Sequence, residues 1–133
     1  AEEPARWHRY GLNLGIAFQL ADDVLDYLGD PEKMGKNIGD DLNEGKPTLP
    51  LIRTLQIGTD AEQALVAAGI RDKGAEHIDL IVAAAKRCGA LDYTLQRADD
   101  YARRAQAELT GLPDLPHTRA LRELCELAAN RDR

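Results

Sequence analysis

The chain has 133 residues, of which 44% are hydrophobic and 5% aromatic, and its formal net charge is −6. The length suits one domain, and the hydrophobic share predicts a packed core and excludes disorder. The negative charge argues against a nucleic-acid surface or an anionic-membrane surface, and leaves open a local basic site for a small anion. No apolar run is long enough to be a transmembrane segment, and we expect no signal peptide before the first helix. Cys88 and Cys125 are too far apart for a metal-binding spacing, which indicates free thiols and a cytoplasmic location.

The first predicted helix covers residues 5–28 and is apolar almost all round, which is typical of a buried helix. Glycine inside a helix costs about 1 kcal/mol relative to alanine, so we expect Gly11 and Gly15 to have a use. They either leave space for a ligand or admit a close neighbouring helix. The chain starts at Ala1 rather than Met and leads at once into this helix, so we expect a piece of something longer. One sector of the helix forms a polar stripe, which contains Gly11, Gly15, Gln19, Asp22 and Asp26.

Five further helices are predicted, and no segment has the alternation of a strand, so the fold class is all-α. Thr59 and Glu62 have the spacing of a capping box, and Gly89 is well placed to end a helix. Thr48-Leu49-Pro50 reads as a helix start, because proline is tolerated in the first turn. The predicted ranges are about 48–56, 59–68, 75–88, 90–109 and 116–130.

Three carboxylates, Asp22, Asp23 and Asp26, stand at the predicted C-terminal end of the first helix. Each carboxylate there costs about 0.3–1 kcal/mol against the helix dipole, and the i,i+4 pair of Asp22 and Asp26 adds roughly 0.2–0.5 kcal/mol. A divalent cation would reverse both penalties, and Mg²⁺ typically bridges one or two carboxylates and a phosphate. Asp23 points about 100° away from the pair and either supports the metal ligands or is solvated.

The segment 29–46 shows no periodicity, and a loop of this length is usually functional or disordered. Lys36 and Lys46 are suited to phosphate oxygens, although most lysines are ordinary surface residues. Asp40 or Asp41 could complete the outer shell of a metal or could be turn residues. Gln19 could contact a ligand, hold Asp22 or be a packing amide.

Three blocks of the sequence, in order and spacing, resemble the second aspartate-rich motif of trans-polyprenyl diphosphate synthases and the loop that follows it. The blocks are 18–26, 35–36 and 45–50, and their sequence is most similar to the bacterial long-chain branch that octaprenyl diphosphate synthases typify. The resemblance implies the C-terminal helices of the isoprenoid synthase helical bundle. Residues 1–133 would then be the C-terminal part of a polyprenyl synthase domain.

The resemblance also implies a reaction, in which isopentenyl diphosphate condenses with an allylic polyprenyl diphosphate and pyrophosphate is released. It implies Mg²⁺ as the cofactor and a homodimer as the assembly. By that likeness Asp22 and Lys36 are catalytic, and Asp22, Asp26 and Asp41 bind metal, with Asp40 a weaker choice than Asp41. The implied substrate-binding residues are Gln19, Lys36 and Lys46.

One large departure from the family pattern is that the first aspartate-rich motif and the basic residues upstream of it are absent. We therefore expect that these 133 residues alone do not turn over substrate, and that the first helix seeks a partner. Two alternatives remain at this point. One is a non-catalytic helical subunit that binds diphosphate and Mg²⁺ or is regulatory. The other is a terpene cyclase, which the Gly45–Thr48 block disfavours because it looks like that of a chain-elongating enzyme.

Overall fold

The computed structural model describes residues 2–28, 48–72 and 77–130, and over these ranges the chain is helical with no strand. The all-α prediction is confirmed, and every predicted helix is present. The largest differences are at the ends, since the first helix starts three residues earlier and the third ends four residues later than predicted. The six helices of the described ranges are α1 (Glu2–Leu28), α2 (Leu49–Ile57), α3 (Asp60–Asp72), α4 (Ile78–Arg87), α5 (Ala90–Ala107) and α6 (Pro116–Asn130).

Local sequence signals set several helix ends as expected. The backbone N–H of Glu62 donates to the Thr59 hydroxyl at 3.2 Å, and the backbone N–H of Thr59 donates to the Glu62 carboxylate at 2.8 Å, so the capping box is confirmed. Gly89, between α4 and α5, has φ +78°, a left-handed conformation that glycine adopts without strain. Among the described residues, no helix is long and apolar enough to cross a bilayer.

The chain divides into two compact units, and the first comprises residues 1–21 and 95–133. Its core has two clusters, and alanines in both allow helix backbones to pack closely. The Tyr10 hydroxyl donates to the backbone oxygen of Leu121 at 2.9 Å, which fixes the N-terminal half of α1 to α6. The buried members of the two clusters are Tyr10, Ala105, Leu109 and Cys125, and Ala17, Ala102 and Ala128.

The second unit comprises residues 22–94, and in it α2, α3 and α4 pack against one another. Leu51 and Val66 are fully buried and Ile81 is 1% exposed, so each of these three helices contributes a large aliphatic side chain to the core. Two buried threonines are satisfied within their own helices. The hydroxyls of Thr54 and Thr94 donate to the carbonyl oxygens four residues earlier, each at 2.8 Å.

The N-terminal half of α1 differs from the sequence expectation of a helix buried on all sides. Trp7 is 41% exposed and Leu12 is 55% exposed, whereas Tyr10 and Ala17 are buried on the other face. Only one face of this half has a packing partner within the described residues of the first unit. Gly11 and Gly15 are exposed, and a Cβ atom built on either glycine would meet no atom within 4 Å among the residues that the structure describes. No neighbouring helix of the described residues therefore packs against the glycines, and the alternative that they leave space for a ligand stays a prediction.

Candidate diphosphate and metal site

The candidate site is built on the C-terminal end of α1. This helix ends at Leu28, so Asp22, Asp23 and Asp26 lie in its last two turns, as the sequence predicts, and no basic residue is present in the last turn. Helical backbone from residue 21 to 28 sets Asp22 and Asp26 one turn apart. The carbonyl end of the helix therefore carries three carboxylates, and its last turn contributes no basic residue of its own.

The described side chains of the site differ in exposure. Gln19 is exposed, so within these residues it is not a packing amide, and Asp22 is partly buried. Asp23 is 6% exposed, which excludes the solvated alternative for this residue. Because Asp23 is buried and Asp22 is only partly buried, Asp22 is the carboxylate of the two that a ligand from solvent can reach.

Several predicted site residues lie outside the described residues. These are the side chain of Asp26 and the whole of the segment 29–47, which contains Lys36, Asp40, Asp41 and Lys46. Their roles stay predictions. Among the described side chains, no group of three or more His, Cys, Asp or Glu could hold a metal ion. The donor chemistry of α1 nevertheless fits Mg²⁺, because this ion keeps several waters and needs only one or two carboxylates when a phosphate completes its shell.

Two residues of the second unit have buried polar atoms, and neither was assigned a site role from the sequence. Thr48 precedes α2 but its side chain makes no cap hydrogen bond, and its buried hydroxyl has no hydrogen-bond partner among the described residues. The buried Nε of Arg53 likewise has none there, while the guanidinium lies 4.3 Å from the centroid of the Tyr93 ring. From the sequence we interpreted Thr48 only as part of a helix start and of the 45–50 block, and not as a site residue.

Strongly shifted pKa values often indicate functional sites, but the clearest cases here have structural causes. Hydrogen bonds from Arg87, and then from the backbone of Thr59, lower the pKa of Glu62 to about 2. The Arg87 Nε donates to the Glu62 carboxylate at 2.6 Å, so this pair ties the start of α3 to the end of α4. Burial, with a smaller contribution from Cys125, raises the pKa of Tyr10 to about 12.

An all-α chain with Asp-Asp-x-x-Asp in the last two turns of its first helix has the class of fold and motif that the resemblance to polyprenyl synthases implies. Comparison with known proteins agrees with this class. The sequence profile described as polyprenyl synthetase matches residues 1–87, and the chain belongs to this family.

Relatives extend the similarity over almost the whole chain. Octaprenyl diphosphate synthase of Escherichia coli is 45% identical over 133 residues, which are 99% of this chain and 41% of that protein. The all-trans-nonaprenyl-diphosphate synthase (geranyl-diphosphate specific) of Rhodobacter capsulatus is 42% identical over 97% of this chain and 39% of its own length. The chain therefore spans about two fifths of the length of these curated relatives.

Solved structures give the same result for the fold. A polyprenyl synthase from Caulobacter crescentus, crystallised with calcium and isoprenyl diphosphate, is 42% identical, with a TM-score of 0.87 over 96% of this chain and 39% of that one. A geranylgeranyl pyrophosphate synthase from Corynebacterium glutamicum, complexed with isoprenyl diphosphate and magnesium, is 33% identical. Its TM-score is 0.80, over 92% of this chain and 36% of that one. The isoprenoid synthase fold predicted from the sequence is thus confirmed.

Proposed function

We propose that this chain supplies the second aspartate-rich part of a polyprenyl diphosphate synthase, which condenses isopentenyl diphosphate with an allylic polyprenyl diphosphate. The observation that carries the proposal is the combination of family membership with the end of α1, where Asp22 is partly exposed and stands one helical turn from Asp26. In this reaction the allylic C–O bond breaks and pyrophosphate leaves. A new C–C bond forms to the double bond of isopentenyl diphosphate, and a proton is then lost.

The residues of the candidate site divide into two groups by charge. The carboxylates of Asp22 and Asp26, with Asp41 acting through water, would hold Mg²⁺, and bound Mg²⁺ supplies positive charge against the departing diphosphate. Lys36 and Lys46 would bind diphosphate oxygens, since an ammonium group is a compact positive charge. Gln19 would donate a hydrogen bond to the substrate. The residues thus orient the leaving group and stabilise the charge that develops on it.

The relatives support both the substrates and the metal. One solved structure is described with isoprenyl diphosphate and magnesium, and another with calcium and isoprenyl diphosphate. Because the chain spans 41% of the Escherichia coli relative, we further propose that these residues alone do not turn over substrate. A homodimer and a cytoplasmic location, both expected from the sequence, complete the proposal.

The same 41% coverage favours one second candidate, a non-catalytic subunit that binds diphosphate and Mg²⁺ or is regulatory. An assay of prenyl transfer separates the two functions when the rest of a polyprenyl synthase is supplied in trans. Product formation that depends on Asp22 supports the enzyme. Diphosphate binding without product under those conditions supports the subunit.

Binding to the site is tested by calorimetric titration of Mg²⁺ and a bisphosphonate into the wild type, Asp22→Ala and Asp92→Ala. Asp92 is an exposed aspartate in the first turn of α5 and serves as the matched control. We expect Asp22→Ala to weaken binding by about 10–100-fold and Asp92→Ala to leave it unchanged. Alanine is a better helix former than aspartate, so a loss of binding with retained helicity is not a loss of fold. Equal binding by all three proteins would refute the assignment.

A further inference from the structure

A groove open to solvent lies between α3 and α4 in the second unit, and its volume is about 420 Å³. Three alanines form its floor, because Ala61, Ala83 and Ala84 stand where larger side chains would fill the space between the two helices. Packed helices normally interdigitate and leave few voids larger than a water molecule. The volume of this groove instead lies in the range of about 300–1,000 Å³ that is typical of small-molecule sites.

The walls of the groove are aliphatic. Leu65 on α3 is partly buried, and Leu80 on α4 is 58% exposed. An exposed leucine needs no explanation by itself, but one beside an unfilled groove offers its side chain to a molecule that enters. Among the described residues that line the groove, the polar ones are Glu62 and Arg87. The groove therefore offers aliphatic contacts along most of its length and one polar end.

The polar end of the groove has a hydrogen-bond donor to spare. The Nε and Nη2 atoms of Arg87 donate to the carboxylate of Glu62, which also accepts the backbone N–H of Thr59. The Arg87 side chain is 55% exposed, and its Nη1 has no hydrogen-bond partner among the described residues. Asp60, the other acid in the first turn of α3, lies about 200° from Glu62 around the helix and so faces away from the groove. This end can therefore bind a hydrogen-bond acceptor, and an anionic acceptor binds most strongly.

The same ion pair sets the length of the groove. Because Arg87 at the end of α4 meets Glu62 at the start of α3, the two helices run in opposite directions. α4 rises about 10 Å between Leu80 and Arg87. An extended carbon chain advances roughly 1.2 Å per bond, so about nine bonds span this distance. A stable protein interface buries about 800 Å² on each partner, which is far more than a groove of this length offers. The dimensions therefore favour a small molecule over a protein.

We propose that the groove between α3 and α4 binds a medium-chain fatty acid. Its alkyl chain would lie along Leu65, Leu80 and the alanine floor, and its carboxylate would accept hydrogen bonds from the Nη1 of Arg87. One negative charge matches the one spare edge of the guanidinium, whereas the several charges of a diphosphate would be repelled by Glu62. The inference is independent of the proposed prenyl transfer, because neither Asp22 nor Mg²⁺ takes part.

The test is calorimetric titration of decanoate into this chain with EDTA present, so that no Mg²⁺ contributes. Ala83→Leu places a branched side chain in the groove. Ala67→Leu is the matched control, because Ala67 is also an exposed helical alanine of the second unit and does not line the groove. Decanol, which has the same chain without the charge, is titrated into the wild type. Nuclear Overhauser contacts between decanoate and the Leu80 methyl groups locate the ligand in the wild type, whatever the variants do.

We expect decanoate to bind the wild type and Ala67→Leu equally, in a one-to-one complex that contacts the Leu80 methyl groups. Ala83→Leu should bind at least about tenfold more weakly, because the added atoms fill the space that the alkyl chain needs. Decanol should bind the wild type about tenfold more weakly than decanoate, because a hydrogen bond to a charged group contributes more than one between neutral groups.

Four results of the titrations and the spectra would each overturn the proposal. These are no saturable binding by the wild type, equal affinities of the two variants, equal affinities for decanol and decanoate, and ligand contacts that do not include Leu80. A dimer of this chain that Ala83→Leu converts to a monomer in light scattering would also overturn it, because the groove would then belong to a second copy. None of these results bears on the titration of Mg²⁺ and a bisphosphonate, which depends on Asp22.

Discussion

Replacing both Gly11 and Gly15 by alanine should make the isolated chain more stable. A Cβ atom added at either position meets no atom of the described residues within 4 Å, and both glycines lie inside α1. Alanine is favoured over glycine in a helix interior by about 1 kcal/mol, since the unfolded chain loses less conformational freedom. With no clash to subtract, the double variant should gain about 1–2 kcal/mol in the free energy of unfolding.

The matched control is Gly58→Ala, which adds the same methyl group in a crowded place. A Cβ atom at Gly58 would lie 2.7 Å from the backbone oxygen of Thr54 and 3.2 Å from the Cβ of Glu62. The Thr54 oxygen accepts the Gly58 N–H at 2.8 Å and cannot move freely. We therefore expect this variant to lose about 1–3 kcal/mol from overpacking, the opposite sign from the double variant.

Urea denaturation followed by circular dichroism measures both effects, and an unchanged m-value shows that a shift in midpoint reports stability. The expected gain corresponds to a rise in Tm of about 2–8 °C. Destabilisation by the Gly11 and Gly15 substitutions would refute the reasoning, because it would require an atom close to the added methyl groups, and none of the described residues places one within 4 Å. An increase in the free energy of unfolding of Gly58→Ala would refute the prediction of stability from these Cβ distances.

Two further predictions concern pH. In Glu62→Gln the stability lost between pH 5 and pH 3 should be smaller than in the wild type. The pKa of Glu62 lies at about 2 in the folded state against 4.5 for the free group, so its stabilising contribution is complete above pH 4.5 and is lost as the pH falls towards 2. Thermal melts of both proteins at the two pH values measure this difference. An equal loss of stability in the variant and the wild type would contradict it. Tyr10→Phe should cost about 0.5–1.5 kcal/mol at pH 7 through the lost hydrogen bond to Leu121. The substitution should also reduce the loss of stability that the wild type shows between pH 10 and about 12. The raised pKa of Tyr10 in the folded state stabilises the fold fully below pH 10, and this stabilisation is lost as the pH rises towards 12. Equal alkaline stability profiles of the two proteins would argue against this.

Most of what the sequence predicted correctly depends on neighbours along the chain. The capping box of Thr59 and Glu62 spans three residues, and Gly89 ends its helix through its own backbone angle. Helix ends of this kind are determined locally, and so they can be read from the sequence. The placement of Asp22, Asp23 and Asp26 at the end of α1 follows for the same reason, because only the helix boundary had to be right.

What the sequence could not give depends on contacts between distant residues. The Glu62–Arg87 pair joins residues 25 positions apart, and the Tyr10–Leu121 hydrogen bond joins residues 111 positions apart. The exposure of Leu12 could not be predicted for the same reason, since a hydropathy pattern shows which residues favour burial but not whether a partner is present. Burial of Asp23 was likewise undecided, because helix periodicity gives a direction and not the surroundings in that direction.

The two cysteines provide a natural pair of chemical reporters. Cys88 is partly exposed beside Thr54, whereas Cys125 is 1% exposed and burial raises the pKa of its thiol, so little thiolate forms there. A maleimide should therefore modify Cys88 in the native protein and reach Cys125 only when the packing of α6 is lost. The ratio of singly to doubly modified chains would record, in one mass spectrum and without any engineered label, how often that part of the molecule opens.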